Sequence, residues 1–168
     1  MTLMRVLAVA AGLSLTGPAA MKAQGLPFHA DRQGMTAAIG TARMHLDLVL
    51  AQLADAENAI HPALNLKVKI PLQDIDINEE MVWVDQLSLT DARFSGAVAN
   101  APVYRKGLQL GDTISFDRAQ VVDWSVLDTS GRMYGHFTTR VILKTLPPEQ
   151  AAQVQDVLMP TPLPDAWR

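Results

Sequence analysis

The chain of 168 residues contains no cysteine. Disulfides, a lipid-modified cysteine, thiolate zinc sites and thiol nucleophiles are therefore excluded, and the stability of the domain rests on packing alone. Long apolar runs are missing as well: the stretch from 6 to 16 falls short of the roughly 20 apolar residues that a bilayer-spanning helix needs. There is no internal repeat, coiled-coil heptad or low-complexity segment. Basic residues are in deficit, 14 against 17 acidic ones, for a net charge of -3. That balance argues against nucleic acid as a partner, which asks for a basic face.

What is present first is a leader. Arg5 supplies a positive start, residues 6–16 are apolar, and Gly17, Pro18, Ala19 and Ala20 supply a helix break and small residues, with no acid before Asp31. This is the pattern of an export signal over 1–23, which places the protein in the periplasm or outside the cell. Its removal takes away Arg5 and Lys22 and no acid, so 14 basic residues become 12 and the charge moves to -5. The remaining length suits a single domain with a genuine core.

After a lead-in over 24–33, the apolar positions Met35, Ile39, Ala42, Leu46, Val49 and Leu53 recur at spacings of four and three. They predict one stripe of an amphipathic helix to about residue 56, with Asp31 as a plausible N-cap. Leu66, Val68 and Ile70 alternate with Lys67 and Lys69, the period of a half-buried strand. Further strands are expected over 81–89, 94–99, 113–116, 120–127 and 132–143, separated by turn residues. Pro148 can open a short helix, and Pro160, Pro162 and Pro164 leave an extended tail ending in Trp167. The expected fold is α+β: residues 34–146 form a curved antiparallel sheet of about six strands on one long N-terminal helix, and 147–168 a short helix and Pro-rich tail.

Period-two alternation also assigns faces. A four-residue turn at Asp128, Thr129, Ser130 and Gly131 would put odd positions of the strand before it beside even positions of the strand after it. Val122, Trp124 and Val126 then share a core face with Met133, Phe137, Val141 and Leu143. Asp123 and Ser125 share the opposite face with Tyr134, His136, Thr138 and Arg140, and Asp123 lies opposite His136. A guanidinium, an imidazole and hydroxyls on one face could bind a carboxylate, a phosphate or a peptide end. The reading that the residues favour over it is an internal network in which Asp123 pairs with Arg140 or His136 and pins the sheet.

Other groupings lack the chemistry they suggest. Ser125, His136 and Asp123 have no nucleophile elbow or oxyanion loop. Asp74, Asp76, Asn78 and Asp85 imitate a calcium loop, but Glu79 stands where glycine is needed and strands flank it. His29, His45, His61 and His136 have no metal-ligand spacing, and no metal or cofactor is expected. Gly107, Gly111, Gly131 and Gly135 serve turns rather than a phosphate loop. Trp83 and Trp124 read as core aromatics. Tyr104, Arg105 and Lys106 form a basic and aromatic step on a loop, a second candidate contact.

The helix over 35–53, the string Glu80, Met81, Val82 and Trp83, the step Asn100, Ala101 and Pro102, the turn over 106–112, the pair Asp123 and Trp124, and the run 135–140 together resemble the bacterial domain of unknown function 2314 family. The likeness covers roughly 35–143. Met81 is a departure, since the family often has histidine before its apolar-Trp step. The resemblance implies a fold and brings no activity, cofactor or catalytic residue.

The expectation is an exported, non-catalytic binding module for a protein, peptide or small anion. Its candidate contacts are Asp123, His136, Thr138 and Arg140, bordered by Tyr104 and Arg105. The alternative is a small hydrolase or transferase using Asp123 and His136 as acid and base. A third reading is an envelope structural protein docking through the Pro-rich tail.

Overall fold

An amphipathic helix leads the part of the chain that the computed structural model describes, which comprises residues 31–57, 59–72 and 78–168. The expected leader and the loop positions Asp74 and Asp76 lie outside it. The helix α1, Arg32–Leu53, starts at Asp31, whose side chain accepts the amide proton of Gln33. Such a cap satisfies one of the amides left free at a helix start. Met35, Ala38, Ala42, Leu46 and Val49 are its buried stripe, spaced as the sequence indicates.

Six strands follow: β1 Leu64–Pro71, β2 Glu79–Thr90, β3 Arg93–Val98, β4 Thr113–Asp117, β5 Val121–Leu127 and β6 Met133–Gly135. They form one open antiparallel sheet in the order β4-β3-β2-β1-β5-β6. Alternation decides which face is covered. Leu64, Leu66 and Val68 of β1 and Val82 and Val84 of β2 are fully buried and join Leu46, Val49 and Trp124 in the core. The indole of Trp124 also donates to the carbonyl of Ala42, tying β5 to α1. The positions between them, Lys67 and Lys69 of β1 and Met81, Trp83 and Asp85 of β2, fall on the other face and stay partly exposed.

The last hairpin departs from the expected register. Ser125 pairs with Gly135, Val126 with Tyr134 and Leu127 with Met133, so even positions face even ones. The cause is the turn. The amide of Asp128 donates to the carbonyl of Arg132 at 2.7 Å, leaving a three-residue loop of Thr129, Ser130 and Gly131. Gly131 has φ +81°, the left-handed residue that such loops use. One residue fewer in the loop reverses every parity assignment beyond it.

The expected strand over 132–143 also stops early. Gly135 (φ +74°) and His136 (φ +55°, ψ +38°) turn the chain out of extended conformation, and Phe137–Leu143 forms a helix, α2. A Cβ on Gly135 would lie 2.2 Å from the carbonyl oxygen of Trp124 and 2.6 Å from its ring, so only glycine fits. Phe137 stacks on His45 of α1 and meets the edge of Trp124, with centroids 6.0 and 5.4 Å away. Tertiary packing here overrides the strand preference of a β-branched run.

The helix α3, Pro148–Asp156, begins at the expected proline. Beyond it the chain becomes a strap, not a free tail. Met133 donates to the carbonyl of Val157, Met159 to that of Met133, and Gly135 to that of Pro162, so residues 157–162 run along the outer edge of β6. Leu158 is buried, and Leu163 and Trp167 pack against the core. Deleting residues 161–168 is therefore expected to lower the unfolding free energy by about 2 kcal/mol or more through lost apolar burial. Chemical denaturation measures this, and an unchanged midpoint would show the strap to be dispensable.

Candidate functional site

Across the open face, Trp83, Lys67 and Asp123 stand directly opposite one another on β2, β1 and β5. The register between β1 and β5 shifts at this point: Lys67 faces Asp123, but Val68 faces Val121, so β5 carries an extra residue. A bulge of this kind re-aims the side chains beside it. Asp123 is 0% exposed.

The Asp123 carboxylate is occupied by α2. Its Oδ1 accepts from the amides of Phe137 at 3.1 Å and of Trp124 at 2.9 Å. Its Oδ2 accepts from the amide of Thr138 at 2.8 Å and from the Thr138 hydroxyl at 2.6 Å. Asp123 thus caps α2 from a neighbouring strand, because His136, the residue before the helix, offers no side-chain cap. Burial pushes the carboxyl pKa up; the Thr138 hydroxyl, the amides of Thr138 and Trp124 and the charge of Lys67 oppose it. Four donors with no acceptor among them call for the ionised form.

Lys67 completes the relay. Its Nζ donates to Oγ1 of Thr138 at 3.2 Å and lies 5.6 Å from the centroid of the Trp83 ring. Among the described residues it forms no ion pair. Burial lowers its pKa, and the Asp123 charge opposes that shift.

The ring of His136 packs against Trp83 with centroids 4.7 Å apart. Nε2 is 3.3 Å from the sulfur of Met133 and Nδ1 is 3.2 Å from Oγ1 of Thr139. A thioether can only accept, so the neutral ring carries its proton on Nε2 and accepts from Thr139 at Nδ1. Burial, then the charges of Lys67 and Arg140, hold its pKa at about 4.

The sequence-derived candidates therefore divide. Asp123 and Thr138 meet, and His136 stands beside them, but no hydrogen bond joins Asp123 to His136, the contact an acid and base pair would need. Arg140 is committed to the backbone: Nε donates to Gly135 and Nη2 to Met159, clamping the strap to the elbow. Its pKa is lowered by burial, with Asp123 opposing. Tyr104 and Arg105 form a separate structure. Their amides and that of Val103 converge on the buried carboxylate of Glu80, which shares the face of Val82, whereas Trp83 lies on the other. The Tyr104 side chain is left 55% exposed. Trp83 is corrected from core aromatic to a half-buried plate on the open face. Lys67 was missed, although its alternation with Leu66 and Val68 already set it opposite the core.

Removing the Asp123 carboxylate would leave the amides of α2 unpaired and Lys67 uncompensated. Asp123→Ala is expected to cost about 3–5 kcal/mol in urea unfolding, against about 1 kcal/mol for Thr138→Val. For His136, the unfolded state takes up a proton first as pH falls below 6.5, while the folded state resists it to about 4. Its contribution to stability is present above 6.5 and is lost as pH falls through that window. Lys67 and Arg140 disfavour the charged ring, and the Asp123 charge favours it. Between pH 7 and 4 the wild type should lose about 2 kcal/mol more than His136→Asn, a figure below the full shift because the ring is part-exposed. Asparagine tolerates the left-handed backbone, so pH-dependent denaturation of the two proteins isolates the ring.

Among the described residues no helix is long and apolar enough to cross a membrane, and no group of three or more His, Asp or Glu residues is placed to hold a metal ion. No curated protein matches the chain, and no solved structure does. A family model does match, over residues 32–158, which spans α1 and all six strands with their connecting elements. The chain belongs to that family, described as an uncharacterized protein conserved in bacteria (DUF2314).

Proposed function

We propose that the protein is an exported, non-catalytic binding module whose contact surface is the open face of the sheet around Lys67, Trp83 and His136. The observation that carries this reading is the mismatch in how the charges are used. Asp123 has every oxygen occupied within the fold, whereas among the described residues two ammonium protons of Lys67 have no acceptor, beside a part-exposed aromatic plate. Sites that recognise ligands combine a few convergent polar groups with apolar surface in this manner.

Two further features support it. His136 is held in a left-handed conformation that costs a non-glycine residue about 1–3 kcal/mol, and such cost gathers at ligand clamps and active sites. The leader over 1–23 supports export to the periplasm or beyond. An acid and base role for Asp123 and His136 gains no support, because their hydrogen bonds run to α2, Met133 and Thr139.

The test is photocrosslinking in the bacterial envelope with a reactive side chain at Met81, part-exposed on the open face opposite Lys69, or at Met44, which is 73% exposed on α1. Adducts should form from position 81 and disappear with Lys67→Met, while position 44 gives none in common. Identical adducts from both positions would remove the open face as the contact surface.

A further inference from the structure

Resting on that reading of the open face, we infer that the group it binds is a carboxylate monoanion, held by the Lys67 ammonium and the Trp83 indole N–H with its carbon body against the indole ring. The shared row across β1 and β2 pairs these two residues, with the Lys67 ammonium 5.6 Å from the centroid of the Trp83 ring. Lys67 spends one proton on Thr138, and the indole N–H of Trp83 has no acceptor among the described residues, unlike that of Trp124. Two donors of this type match the two oxygens of a carboxylate.

Charge arithmetic selects a monoanion. Lys67 and Arg140 are cationic, Asp123 is anionic, and His136 is neutral near pH 7 because its pKa lies at about 4. These four side chains thus sum to one positive charge; farther along the face Lys69 is paired with Glu79, and Asp85 lies beside Ala97 of β3. A carboxylate neutralises that charge. A dianion would leave a negative charge in a half-buried site already floored by Asp123, where low polarisability makes an uncompensated charge costly. Arg140 contributes its charge but no free guanidinium fork, since two of its donors are fixed on Gly135 and Met159.

The ring supplies the other half of the recognition. Trp83 is half-buried, with His136 against it and Lys67 near its face, so the part left open can pack against an apolar or planar carbon skeleton. A free small carboxylate and the C-terminal carboxylate of a peptide share this chemistry.

Isothermal titration at constant ionic strength with four probes tests the inference: benzoate, inorganic sulfate, and one hexapeptide ending in phenylalanine with either a free or an amidated C terminus. The expected result is binding of benzoate or of the free-acid peptide, with sulfate and the amidated peptide weaker by about tenfold or more. Benzoate binding without the peptide identifies a small carboxylate, and tighter binding of the free-acid peptide identifies a chain terminus. Trp83→Phe, which keeps a ring and removes the N–H, should weaken binding about tenfold, and Lys67→Met should abolish it. Because Lys67→Met disturbs the Asp123 relay, the Trp83→Phe result carries the inference if that variant does not fold. Sulfate binding as tightly as benzoate, or an amidated peptide binding as tightly as the free acid, would overturn the carboxylate assignment and leave the open-face reading standing. No heat from any probe, together with position-81 adducts in the envelope, would also overturn it; no heat and no adducts would overturn both.

Discussion

The carboxylate of Asp123 is the constraint on which the second half of the structure depends. A helix start leaves amide protons unpaired, and in α2 those protons belong to Phe137 and Thr138, directly beside β5. A strand residue serving as the cap fixes the helix to the sheet more tightly than a local cap could, because moving one moves the other. The bulge in β5, the glycine at 135 and the left-handed His136 all follow from bringing that helix start to that side chain. Phe137 then reaches α1 on the covered face, while Thr138 and His136 face the relay. The helix thereby joins the two faces of the sheet at one edge.

An interior carboxylate and a lysine that do not touch are an unusual arrangement. Direct contact between them would satisfy both charges and leave nothing for a ligand. Thr138 stands between, donating to one and accepting from the other, so the attraction is retained at a distance while two ammonium protons have no acceptor among the described residues. Charges buried in this way seldom raise stability above that of an apolar replacement; what Asp123 adds is the fixed position of α2 against β5.

The helix α1, the strands β1 to β5 and the start of α3 were legible because each is governed by local patterning: a stripe at helical spacing, alternation at period two, a proline where a helix can begin. The register of the last hairpin was not, since it turns on whether four residues or three form the loop, and Gly131 permits either reading from sequence. Residues 137–143 read as a strand because phenylalanine, threonine, valine and isoleucine favour one. What makes them a helix is Asp123, fourteen positions back from Phe137, and sequence periodicity holds no record of such a cap. Asp123, His136 and Thr138 were named for the right neighbourhood through the wrong geometry. Lys67 read only as the polar half of a strand and Trp83 as a core aromatic, because they join the cluster only once β1 pairs with both β2 and β5, the latter a contact between distant segments. The strap escaped for a related reason: three prolines forbid regular structure but do not forbid docking.

The placement of β1 between β2 and β5 also bears on how the chain reaches this state. Its pairing with β2 closes a short connection, whereas its pairing with β5 links Lys67 to Asp123 across the whole of β2, β3 and β4. Closing so long a segment is entropically slow, and contacts of that separation set the pace of folding. The row of Trp83, Lys67 and Asp123 is therefore complete only after β5 has joined β1. An intermediate with β1 to β4 already paired would still lack Asp123, and with it the cap from which α2 starts.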